Sequence, residues 1–355
     1  MAKIEPILLL IALPFFGVYI TGMDIKEYLE FPPLTRYVEH AGFSLPVFIG
    51  IAVFILICAV PLDARVLKNR IGISEDKPAG KFPIWGFFGI ALLLAGWLIA
   101  WTRLDFLKPV QMFTFTPHWI GYITTVNALT AFRKGSCMMT SRPRYFLMLF
   151  IISAGFWWYF EILNRFVQNW YYIGISGITP LEYFVFATLP FSTVLPAVLG
   201  TYELLATYKA TSAGLTDLQP VRPLADKRFA ACVLVISCAS LCLLGIYPDI
   251  LFPFLWLSPL LALSAVKIMK GERTLMLDIA RGDWSRIYRL AMAALICGLF
   301  WEMWNQYSAA KWIYTVPFVG SFKIFEMPLL GFAGYLPFGL ECYIIAEWFT
   351  GEDAD

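Results

Sequence analysis

Two stretches of this sequence place acids and amides inside greasy surroundings. One holds Glu161, Asn164, Glu182 and Glu203; the other holds Glu302, Asn305, Glu326 and Glu341. Carboxylates are the side chains best suited to give or take a proton, or to hold a cation, inside an apolar setting. An amide three residues after an acid on a helix lies on the same face, so Glu161 with Asn164 and Glu302 with Asn305 each form a polar pair. Their surroundings are aromatic: nine of the seventeen residues from Phe156 to Tyr172 are Phe, Trp or Tyr. Trp158, Trp170 and Tyr172 accompany the first pair, and Trp301, Trp312 and Tyr314 the second. Such rings can hold cationic character by cation–π contact. The expected chemistry is therefore acid/base work by Glu182 and Glu326, partnered by Glu161 and Glu302. The two asparagines and the six named aromatics are expected to line the substrate. Arg165 and Lys311 are natural counter-charges.

A plainer reading stands beside this one. Trp and Tyr gather at membrane interfaces whatever a protein does, and an acid at a helix end can simply face headgroup water. What favours a site is the recurrence of acid, amide and aromatics in the same order.

Helices must position these residues. Charged residues form 15% of the chain and the hydrophobic set 59%, with a mean hydropathy of +0.70. That composition implies an all-α polytopic membrane protein. Windows of about 20 apolar residues, the length a span requires, centre near residues 14, 53, 92, 124, 154, 195, 238, 259, 298 and 335. The fourth carries polar residues and the eighth is broken by prolines. The sixth and tenth are overlong and contain Pro190, Pro196, Pro328 and Pro337, which predicts a kink or a partly re-entrant start. The first window follows a basic start and lacks a small-residue cleavage site, so it reads as a retained helix. With the N-terminus inside, the inner segments hold 20 of the 27 Lys and Arg and the outer segments 7, as the positive-inside rule requires. The expected location is a bacterial inner membrane with both termini cytoplasmic. On that topology Glu161, Glu302, Glu182 and Glu326 share the outer-leaflet half, while Glu203 lies near the inner face and Glu341 in the inner half of the core.

Several chemistries are excluded. The seven cysteines form no CxxC pair and mostly sit in apolar runs. They read as packing residues. Only His40 and His118 are present, so no zincin or all-histidine metal centre exists. No phosphate-binding glycine loop occurs, and no nucleic-acid motif accompanies the net charge of +2. No cofactor or metal is expected.

The recurrence extends into an internal repeat. Glu161, Asn164, Trp170, Tyr172 and Glu182 correspond to Glu302, Asn305, Trp312, Tyr314 and Glu326. Two extra helices in 1–82 would precede a first four-helix repeat in 83–228 and a second in 229–355. Units with an even number of spans sit the same way up, related by a pseudo-twofold axis along the membrane normal.

The segment "WYYIGISGITPLEYFVF", Trp170 to Phe186, resembles the lycopene cyclase domain of the heterodimeric-type carotenoid cyclases. There a W-x-Y precedes a P-x-E-[ED] motif that opens a helix. The resemblance implies that Glu182, two residues after Pro180, protonates a linear polyene before ring closure, with Glu326 as its counterpart. Tyr183 stands where the family has its second acid, and "KIFEMPLLGF" lacks the proline two before Glu326. The wider pattern also looks like an uncharacterised bacterial membrane family.

Three functions follow as expectations: an enzyme acting on an isoprenoid or other lipid, a transporter or lipid-handling protein coupling protons or cations through the same acids, and a non-catalytic assembly partner. The partner is a membrane lipid or isoprenoid and not a nucleic acid, and a homo-oligomer is left open.

Overall fold

The computed structural model describes residues 4–31 and 35–352. Lys3, one of the 20 basic residues expected on the inner side, lies outside them. The described chain is mostly helical. In order it forms α1 (Glu5–Ile20), α2 (Leu45–Asn69), α3 (Ile84–Trp101), the short turn α4 (Lys108–Gln111), α5 (Phe115–Lys134), the short turn α6 (Met138–Ser141) and α7 (Pro143–Val167). Strand β1 (Trp170–Ile173) follows, then α8 (Pro180–Phe191), α9 (Val194–Ala206), α10 (Lys227–Cys242), α11 (Pro248–Lys270), α12 (Leu275–Arg281) and α13 (Ser285–Gln306). Strands β2 (Lys311–Tyr314), β3 (Lys323–Ile324) and β4 (Met327–Pro328) lead through a 3-10 segment, Leu329–Gly334, into α14 (Tyr335–Thr350).

Among the described residues, seven helical segments are long and apolar enough to cross a membrane: α2, α3, α7, α8 with α9, α11, α13, and the 3-10 segment with α14. The other three windows also fall on helices. Helices α1 and α10 have 16 residues each, and α5 has 20 but is more polar. The two overlong windows break near their prolines. The sixth divides at Ser192–Thr193 into α8 and α9, and the tenth opens as 3-10 helix before α14 begins.

The bundle is assembled from matching contacts. Helix α3 packs on α5 and α10 on α11; α5 packs on α9 and α11 on α14; α7 packs on α9 and α13 on α14. The two sets meet where α9 touches α13 and α7 touches α14. The core between them is aromatic and close-packed, with Trp119, Phe160 and Trp304 fully buried. Helix α1 covers one flank by packing on α10. Helix α2, by contrast, keeps most of its large apolar side chains exposed.

Strands β1 and β2 form an antiparallel pair across the end of the bundle. Its register sets Trp170 against Tyr314, Tyr171 against Ile313 and Tyr172 against Trp312. Beyond β1 the chain passes so close to Ala309 that a Cβ on Gly174 would stand 2.0 Å from its carbonyl oxygen. Glycine is required there, and its φ of +76° adds a second reason.

Candidate functional site

Each of the two helix-borne acids at this end sits in a cage of aromatic donors. Glu161 is fully buried in α7. Its Oε1 accepts hydrogen bonds from Trp157 Nε1 (3.2 Å), Trp170 Nε1 (3.1 Å) and Tyr172 OH (2.7 Å). Glu302 is likewise fully buried in α13. Its Oε1 accepts from Tyr314 OH (2.9 Å) and Tyr335 OH (2.7 Å), and Trp312 Nε1 donates to the Tyr314 hydroxyl (2.9 Å). In both acids Oε2 is buried with no hydrogen-bond partner among the described residues. Burial, and next the carboxylate beside each, holds the Tyr172 and Tyr314 phenols well above the ordinary tyrosine range. Both strand tyrosines therefore stay protonated and act as donors.

The cages differ in one informative respect. Counting from the acids, Trp157 in α7 corresponds to Gly298 in α13. Trp157 donates to its own helix's acid from one turn away. At Gly298 that side chain is missing, and the Tyr335 ring from α14 fills the space, its carbon 2.4 Å from where a Cβ would stand. Tyr335 then supplies the donor that Trp157 supplies in the other cage.

The amides serve the backbone. Asn164 Nδ2 donates to Trp170 O (2.8 Å), and its Oδ1 accepts from Asn169 N (2.8 Å). Asn305 Nδ2 donates to Trp312 O (2.9 Å), and its Oδ1 accepts from Trp312 N (3.0 Å). Each asparagine thus ends its helix by pinning the strand that follows. That pinning carries the strand tryptophan and tyrosine back over the acid three residues earlier. In α7 the chain reverses through Gln168, a non-glycine residue at φ 50°, a conformation few side chains adopt.

Glu182 and Glu326 do not join the cages. Glu182 is exposed, and its Oε2 accepts from Thr179 N (2.8 Å) and Thr179 Oγ1 (2.8 Å). This is a reciprocal capping box, because Glu182 N in turn donates to Thr179 Oγ1. Glu326 is half-buried and ion-paired with Lys311. Arg165 is not the partner of Glu161: its guanidinium donates to the carbonyls of Tyr28 and Glu30. Lys311 belongs to Glu326. The four acids expected at one depth, with two counter-charges beside them, thus divide into two caged acids, one helix cap and one ion pair.

The aromatics divide similarly. Trp170, Tyr172 and Tyr314 touch an acid directly, and Trp312 acts through Tyr314. Trp301 stacks on Tyr335 (6.2 Å) and lies 6.0 Å from Trp157, so it bridges the two cages. Trp158 faces away, donating to Thr188 Oγ1 (2.9 Å) and stacking on Phe184 (5.1 Å). Further rings close the box. Trp256 of α11 packs on Phe160 (4.6 Å) as Trp119 of α5 packs on Trp301 (4.7 Å), and Phe338 lies against Trp157 (6.1 Å) and Trp256 (6.0 Å). Trp157 could have been found from its spacing of four before Glu161. Tyr335, Trp256 and Phe338 come from other helices and carry no such signal.

Glu203 pairs with Lys134 Nζ (2.9 Å) and accepts from Met138 N (2.9 Å), capping the turn α6. Glu341 is buried within α14 without such contacts. A cleft of about 760 Å³ opens one helical turn beyond Glu161, lined among others by Tyr28, His40, Arg165, Gln168 and Asp249. His40 Nδ1 and Asp249 Oδ1 close one wall at 2.7 Å. Among the described residues no group of His, Cys, Asp and Glu side chains is placed to hold a metal ion.

No family model, curated protein or solved structure matches this chain. The site's own geometry must carry the functional reading.

Proposed function

We propose that the chain is a ten-span bacterial inner-membrane protein with both termini cytoplasmic. Two extra helices would precede two parallel four-helix repeats that meet at a duplicated acid–aromatic site. Its proposed activity is acid/base isomerisation or cyclisation of an isoprenoid or other lipid, in the manner of a carotenoid cyclase. One observation carries this reading. Glu161 and Glu302 each have one oxygen held by aromatic donors and the other bare, within a continuous box of rings. Glu182, which the cyclase resemblance favours, is exposed and occupied as a cap, so the acid's role passes to the caged pair.

The chemistry such a pair can perform is balanced without a cofactor. A protonated carboxyl gives its proton to a carbon–carbon double bond. The π pair becomes the new C–H bond, leaving a carbocation and a carboxylate. A carboxylate then takes a proton from a neighbouring carbon, and that C–H pair forms the new double bond. Indole and phenol faces stabilise the cation between the two steps, and exclusion of water keeps it from being trapped.

The test is extraction of lipids and pigments from cells that make the chain and from cells that do not. A product should appear with the intact chain, vanish with Glu161→Gln and Glu302→Gln, and persist with Glu182→Gln. An unchanged profile with the intact chain present rejects the enzymatic reading. A transport reading is favoured by a separate observation, the partnerless Glu341 where α14 meets α7. It would be supported by proton-coupled uptake into vesicles that is lost in Glu341→Gln.

A further inference from the structure

Glu341 stands apart from the caged acids. It is the seventh residue of the sixteen in α14 and is fully buried. Helix α14 packs there on α7, α9, α11 and α13. Neither carboxylate oxygen of Glu341 has a hydrogen-bond partner among the described residues. Among the described residues the three other acids less than a tenth exposed, Glu161, Glu302 and Glu203, each have donors on at least one oxygen.

Among the described residues, the groups that face Glu341 offer it no compensating charge. On α7 the electrostatic neighbour is Tyr159, whose hydroxyl is itself buried without a partner. Next in α14 comes Cys342, with Cys297 of α13 beyond it, and Cys238 of α10 adjoins Tyr159. On α9, Tyr202 packs against Tyr343 (6.4 Å) while Glu203 is held by Lys134. The cations along α14 are engaged elsewhere. Lys267 of α11 pairs with Glu347 (2.6 Å), and Arg286 of α13 donates to Tyr343 OH (2.7 Å) and pairs with Asp278 (3.3 Å). An ionised carboxylate with neither donor nor cation is among the most costly groups a protein interior can hold. Such intramembrane acids commonly mark proton relays.

We propose that Glu341, with the Tyr159 hydroxyl beside it, is a proton-binding site at the junction of α7 and α14. It holds its proton while these helices stay packed around it. The ligand is a proton, and the proposal is independent of the isoprenoid reading, since it rests on burial and packing around Glu341 alone.

Infrared spectroscopy of the full chain in lipid nanodiscs reads the site directly. At neutral pH the difference between the unaltered chain and E341Q should contain the carbonyl stretch of a protonated carboxyl with few hydrogen bonds. That band should move down in heavy water, and Y159F should shift it without removing it. If E341Q does not accumulate, E341D gives the same reading, because the band should move instead of vanishing. Paired carboxylate bands at neutral pH in place of the carbonyl stretch would overturn the proposal. Carboxylate bands that appear only with added sodium would overturn it too, identifying a cation site instead. Product formation at Glu161 and Glu302 is a separate readout, so failure of either idea leaves the other standing.

Discussion

Tyr171 of β1 lies directly opposite Ile313 of β2, and these are the two residues that become equivalent when Trp170 is aligned with Trp312. In an antiparallel pair, a residue that faces its own counterpart lies on a local twofold axis. The flanking pairs obey the same rule, since Trp170 against Tyr314 is Tyr172 against Trp312 read in the other direction. The pairing supports, without requiring, the proposed parallel repeats. It also gives the strands a purpose: each returns over the end of its own helix and delivers its aromatic donors to the acid it followed.

The Gly298–Tyr335 contact should be intolerant of even one added carbon. A Cβ at 298 would stand 2.4 Å from the Tyr335 ring, and the ring cannot yield without losing its bond to Glu302. Gly298→Ala should cost about 1–3 kcal/mol by overpacking. Tyr335→Phe should cost about 1–3 kcal/mol, the range for leaving a buried acceptor without its donor. Because both act on one ring, the double variant should cost less than their sum. Denaturation in detergent would measure this, and additive losses would mean that the ring and the glycine are not coupled.

Asn164 and Asn305 should behave as structural residues of equal weight. Each makes one bond as donor and one as acceptor to the backbone at the start of its strand. Replacement by alanine should therefore destabilise by about 1–3 kcal/mol at either position, from the buried groups left unpaired. Any ligand affinity should fall only in proportion to the unfolded fraction. A variant that stays fully stable yet loses ligand would return the asparagines to the binding role expected from sequence.

How far these roles could be read from the sequence depends on whether a partner is local. The helices themselves follow from runs of apolar residues, and the breaks near Pro190 and Pro328 from proline chemistry. The capping role of Glu182 was legible, because Thr179-Pro-Leu-Glu182 has the spacing of a capping box. The acid–amide pairs were visible as recurrences, but their division of labour was not. Only the fold shows that the amides look to the backbone while the acids look to the rings. Arg165 could not be assigned either, since its acceptors are carbonyls of a segment more than a hundred residues earlier.

The Lys311–Glu326 pair is expected to be a coupled unit. Side chains of both are mostly buried, at 19% and 17% exposure. Removing one partner leaves the other charge poorly solvated. Lys311→Met or Glu326→Leu alone should each cost about 1–3 kcal/mol, reduced from the fully buried case by the remaining solvent screening. The double variant should recover part of that loss, with a coupling energy of about 0.5–3 kcal/mol in the cycle. Independent effects would show that the pair is a surface contact of little weight.

Helix α5 is where the proposed topology can be tested. Seven segments qualify as spans by length and hydropathy alone, an odd number that would put the termini on opposite sides. Adding α1, α5 and α10 gives ten and puts them together. Polar residues within α5 are turned into the bundle. His118 and Asn127 are fully buried, His118 stacks on Trp304 (4.9 Å), and Asn127 Nδ2 donates back to Ile123 O (2.9 Å). A span that hides its polar groups among neighbouring helices can be less hydrophobic than one facing lipid. The ten-span arrangement therefore predicts that fluorescent-protein fusions at either end of the full chain glow, and that alkaline phosphatase placed there is inactive. Phosphatase inserted after Gly177 should be active, while phosphatase inserted after Gly135 should not. An active phosphatase after Gly135 would take α5 out of the membrane, and with it the proposed match between the two halves.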